Sequence, residues 1–128
     1  MIKKKVSFAL KGFVMAFPII KTALPKRRYQ FGEFLLVVLG DIETEDKIPY
    51  RFLLSILPEG AEKPELFISS EPLPAQKNYQ MRIIAENISQ TVSHQSDQWG
   101  ELDLFCQDAL ALVSQLLNLG DERPVLLT

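Results

Sequence analysis

The sequence predicts an α+β fold: an antiparallel, curled β-meander of about five strands with one long C-terminal amphipathic helix packed on it, residues 1–128 forming a single domain. Three observations carry this. Apolar runs rich in branched and aromatic residues recur through most of the chain, separated by connectors containing glycine, proline and acids. From Trp99 to Leu117 the apolar residues change to three- and four-residue spacing. A length of 128 residues suits one core that buries roughly two-thirds of the unfolded surface.

The first element is a long, bent strand over Lys3 to Phe17. Val6, Phe8 and Leu10 share one face and Phe13, Met15 and Phe17 a displaced one, with Gly12 between them where a bulge re-phases the strand. Pro18 ends it, and residues 19–28, containing Pro25, Lys26, Arg27 and Arg28, read as a connection. A hairpin follows: Phe34 to Leu39 and Tyr50 to Leu57 flank the acidic connector Gly40 to Lys47. In its first arm Phe34, Leu36 and Val38 alternate with Leu35, Val37 and Leu39, so both faces favour burial, as in a central strand. Pro58 to Pro64 is a turn, Leu66 to Ser69 a short strand, and Glu71 to Gln76 another connection. Tyr79 to Val92 reads as one long last strand, bulged near Ile83 and Ile84 where its phase changes.

In the helix, Trp99, Leu102, Phe105, Cys106, Ala109, Leu110, Val113, Leu116 and Leu117 form one apolar stripe. Ser96 or Asp97 is placed to cap its start, and Gly120 to stop it in a left-handed conformation. Val125, Leu126 and Leu127 form an apolar tail that can add to a sheet edge.

The net charge of −2 hides an uneven distribution: residues 1–28 carry +8 and the remaining hundred −10. That asymmetry predicts an internal or intermolecular electrostatic match, or an anionic partner for the N-terminal part. The lone Cys106 rules out an internal disulfide and points to the cytoplasm. Lys3 to Lys5 followed by an apolar run superficially resembles a signal peptide, but Lys11 interrupts it and no small-x-small site follows. Pro18 ends the run short of the roughly 18 apolar residues that a membrane span needs, so a membrane is not an expected partner.

No catalytic, cofactor-binding or metal-ligating residue is assigned, and no cofactor is expected. Phosphate-binding glycine loops and nucleophile elbows are absent from the sequence. Asp41, Glu43, Glu45 and Asp46 alternate as calcium ligands do, yet the sixth and twelfth loop positions hold Asp46 and Phe52 where glycine and a bidentate acid are required. His94, the only histidine, falls in a polar stretch, and Cys106 on the helix stripe reads as a buried thiol. The chain is therefore read as a non-enzyme.

Five strands at about 4.8 Å spacing span roughly 24 Å, whereas a helix is about 10 Å across. The sheet is thus wider than its lid. Leu35, Val37, Leu39, Leu53, Trp99 and Phe105 are the candidate interface, and the expected function is a small interaction or assembly module that self-associates as a homodimer and meets a protein partner. One alternative is single-stranded nucleic-acid binding. Its candidate contacts are Lys3, Lys4, Lys5, Lys11, Lys26, Arg27 and Arg28, interleaved with Phe8, Phe13, Phe17, Tyr29 and Phe31. In element order alone, strands then one helix, the chain resembles Whirly-type single-strand binders, which implies the same partner class. The other alternative is a carrier of a small apolar ligand held between sheet and helix.

Overall fold

A computed structural model describes residues 17–127. Seven strands form one antiparallel sheet: β1 (Ile20–Phe31), β2 (Phe34–Thr44), β3 (Phe52–Pro58), β4 (Leu66–Leu73), β5 (Asn78–Ala85), β6 (Ile88–Ser96) and β7 (Val125–Leu126). Among the described residues a single α-helix, α1 (Leu102–Leu116), follows a 3₁₀ turn over Asp97–Gly100. The spatial order β6-β5-β4-β3-β2-β1-β7 is a meander of consecutive strands, closed on its outer side by the tail strand. The α+β class and antiparallel sheet are as expected; the described residues hold seven strands rather than about five.

The differences have local causes. The predicted strand over Lys3 to Phe17 lies outside the described residues apart from its last position. Residues 20–28, expected as a connection, are strand β1. Pro25 is tolerated because β1 is an outer strand whose ladder shifts register beside it, so no interior hydrogen bond is lost. The first five residues of the acidic connector, Gly40 to Thr44, continue β2. Tyr79 to Val92 is a hairpin with a two-residue Glu86-Asn87 turn, and its irregularity falls between Gln80 and Arg82 rather than at Ile83 and Ile84.

The β1–β2 turn is Gly32-Glu33, with Gly32 at φ +59°, the left-handed first position that a type II′ hairpin loop needs. Trp99 belongs to the 3₁₀ turn, which Ser96 caps by accepting from the Gln98 N–H at 3.1 Å. At the far end the left-handed stop is at Asn118, φ +53°, two positions before the expected Gly120, which itself has a positive φ of +26°. Leu119 N–H donates to Ser114 C=O at 2.9 Å and Asn118 N–H to Gln115 C=O at 3.3 Å, the paired bonds of a Schellman stop.

One face of the sheet holds the main core. Tyr29, Phe31, Leu36, Val38, Leu54, Ile56, Ile68 and Met81 meet Trp99, Phe105, Cys106, Ala109 and Val113, with Phe52 stacked on Phe105 at 5.3 Å. Asp103 of α1 pairs with Arg27 of β1, while Asp108 and Leu112 share a cleft with Met81 of β5 and His94 of β6. A helix about 10 Å wide touches both sides, so the strands close toward it and this face is covered. Buried Ser70 donates to Trp99 C=O at 2.7 Å and the indole N–H donates to Asp108 at 2.8 Å, so the turn into the helix is pinned at both ends.

Candidate functional site

The opposite face of the sheet carries the candidate surface. Its residues follow from the register: the row Arg28, Val37, Ser55, Phe67, Ile84 and Ser89 runs across six strands, and Pro25, Leu39, Leu53, Ser69, Arg82 and Thr91 form the next. Tyr50, Leu53, Phe67 and Ile84 are buried there under Phe17, Ile20, Ile42 and Ile48. The cover comes from the chain entering β1 and the segment between β2 and β3. Among the described residues no helix lies on it.

Beneath that cover is a chain of polar groups. Glu71, buried on β4, accepts from Ser69 Oγ at 2.6 Å, Gln80 Nε2 at 3.1 Å and Arg82 Nε at 2.6 Å. Arg82 Nη1 donates to Ser89 Oγ at 2.7 Å and its Nη2 to Tyr50 Oη at 3.4 Å. Tyr50 Oη donates to Asp46 Oδ2 at 2.8 Å, and the other Asp46 oxygen accepts from Thr44 Oγ1 and, at 3.0 Å, from the Ile48 N–H. Burial, then the Asp46 carboxylate, pushes the Tyr50 phenol well above its ordinary value, so it stays a donor. Burial pulls the Asp46 carboxyl upward, but its hydrogen bonds from Thr44, Ile48 and Tyr50 outweigh this and hold it below the usual carboxylate range. Every member has a partner, so the chain anchors the Thr44–Tyr50 segment to the sheet.

Two clefts flank this anchor. A hollow of about 690 Å³ lies between Phe17, Phe67, Pro64 and Ile88, rimmed by Lys63, Glu65 and Glu86. A smaller one of about 310 Å³ opens over Tyr50, Arg82, Ile48 and Ile19. Toward β1 the cover stops: Leu35, Val37 and Leu57 are only half-buried, and a shallow hollow lies between Leu35, Leu57, Glu33 and Ala61.

The candidate interface set divides. Leu35, Val37 and Leu39 do sit on this face, half-buried. Leu53, Trp99 and Phe105 are at most 1% exposed and belong to the chain's own core, a correction to their expected role. Leu53 faces the anchored side beneath Ile48 and its neighbours, and the two aromatics fill the space between helix and sheet. Of the basic set, Lys3, Lys4, Lys5 and Lys11 lie outside the described residues. Lys26 donates to Asp41 at 2.9 Å and Arg27 pairs with Asp103, which holds its guanidinium still more firmly protonated; Arg28 is exposed beside Val37. These three do not form one patch.

Cys106 is buried, and burial raises its thiol above the ordinary value. His94 is exposed, its ring edge-on to Trp99 at 5.2 Å. Among the described residues no three histidines, cysteines or acids gather as metal ligands, and no helix is long and apolar enough to cross a membrane. The Glu71–Arg82 anchor went unread in the sequence because Glu71 stood in an apparent connection. The two-residue alternation Ser69, Glu71, opposite Arg82 and Gln80, becomes visible only once β4 is extended to Leu73. Comparison with known proteins finds no matching family model, no matching curated protein and no matching solved structure.

Proposed function

We propose that this chain is a non-catalytic interaction module that works as a pair of copies and offers the open face of its sheet to a protein partner. The observation that carries the reading is the step in cover across that face. The Tyr50, Phe67 and Ile84 half is roofed and anchored, whereas Leu35, Val37 and Leu57 beside β1 are half-exposed with only Arg28, Gln30 and Ser55 as polar neighbours in their rows. Apolar side chains grouped on one face and rimmed by polar ones mark a protein contact more than a solvated surface. Lys26 and Arg27, engaged with acids of their own chain, weaken the nucleic-acid reading. The cytoplasm remains the expected compartment for the lone thiol.

Light scattering on the full chain at high micromolar concentration should return twice the 14.6 kDa protomer mass. Val37→Glu should leave the far-UV spectrum and melting transition in place, because Val37 is only half-buried. A monomer that unfolds on Val37→Glu would show instead that this face is interior, and the reading would fall. The cleft of about 690 Å³ keeps a second reading, carriage of a small apolar ligand. Native mass spectrometry of gently purified protein should then show a bound small molecule.

A further inference from the structure

The two lateral edges of the sheet are built differently. On one side β1 carries Lys21, Pro25, Lys26, Arg27 and Arg28, shifts register three times, and is capped at Tyr29 and Gln30 by β7. Basic residues, proline, bulges and a covering strand each discourage further strands from adding. On the other side β6, Ile-Ser-Gln-Thr-Val-Ser-His-Gln-Ser, has nine residues with no lysine, arginine, acid or proline. All but Val92 and Ser96 are exposed, and Ile88 is 64% exposed. Among the described residues β6 has β5 as its only ladder partner. Ile88 to Thr91 pair regularly with Ala85 to Arg82, after which the ladder slips and Val92 to His94 stand outside it. The regular run therefore turns alternate backbone N–H and C=O groups outward.

We infer that a second copy of this chain adds at this edge, β6 antiparallel to β6 through Ile88–Thr91, making one sheet that runs through both protomers. The inference rests on the self-association proposed above and names its surface. Identical strands paired about a two-fold axis put like residues near like, so a charged strand would repel its mate; the paired run Ile88–Thr91 has no ionisable side chain. Arg82, the cation that bonds Ser89 of this strand, is matched by Glu71 at 2.6 Å. Because the β1 edge is guarded, the addition closes at two copies and does not propagate. Antiparallel pairing sets the axis perpendicular to the sheet, so both helices lie on one side and both open faces on the other, available together to the protein partner.

Single-cysteine variants Ser89→Cys, Gln90→Cys and Thr91→Cys test this in the full chain, since the native Cys106 is buried. Mild oxidation should give an intermolecular disulfide from at least one of them and none from Val37→Cys. Gln90→Lys should raise the dimer dissociation constant about tenfold or more without changing the circular dichroism spectrum. Cross-linking at position 37 alone, with Gln90→Lys still dimeric, would overturn the edge and leave self-association standing on the open face. A wild-type chain that stays monomeric at high micromolar concentration and cross-links nowhere would remove both.

Discussion

Arg82 shows how much a single side chain carries here. Its Nε holds Glu71, which is 7% exposed, and its own side chain is 19% exposed. Removing one member of a buried pair strands the other, which costs about 3–5 kcal/mol. Arg82→Ala should therefore lose that much in urea titrations, while the double replacement Glu71→Leu with Arg82→Met should recover most of it; equal losses for both would refute the anchor. Tyr50 makes a pH prediction. Its folded-state value lies above the unfolded one of about 10, so its stabilisation is complete below pH ~10 and disappears as pH rises toward the folded value. Asp46 acts at the other end: its lowered value gives stability above pH ~4 that is lost as acid is added. Tyr50→Phe should flatten the alkaline limb of a stability-versus-pH curve and, by removing one of the hydrogen bonds that hold Asp46 low, also weaken the acid limb. Cys106, shielded and held protonated, should react with a thiol reagent only on unfolding.

At the scale of elements, the β1–β2 turn is sensitive to substitution. Gly32→Ala forces a side chain into a left-handed backbone and brings its Cβ to 3.2 Å from Leu119 Cδ2. The expected loss is about 1–2 kcal/mol, read from the denaturant midpoint. What could be read from sequence follows the strength of the local signal. The helix was legible because nine apolar residues repeat with its period, and β2 and β3 because alternation there is uninterrupted. The hairpin of β5 and β6 was not, because its Glu86-Asn87 turn has no glycine or proline and its polar second arm has too little alternation to declare a strand. β1 was hidden by Pro25 and three consecutive basic residues, the features of an edge strand that also imitate a loop. The helix stop was misplaced by two residues because asparagine as well as glycine can take the left-handed position.

For the molecule as a whole, comparing a flat sheet's width with the helix's diameter overstated the bare area on the helix side. Arg27 and His94, from opposite ends of the meander, both reach the helix or its entry turn, so the strands converge on that side. On the other face no such convergence covers Leu35, Val37 and Leu57, which remain half-exposed. Of the proposed contact surface, alternation places Leu35, Val37 and Leu39 on one face, where they are half-buried, but no local pattern distinguishes an inward aromatic such as Trp99 from an outward one. The helix that completes the main core is made after all six meander strands. On the ribosome, those strands must emerge with their greasy concave side bare and wait for the lid to be translated. A chain cut after Glu101 should consequently precipitate or stay bound to chaperones, and co-expression with a separate Leu102–Leu116 peptide should return part of it to solution.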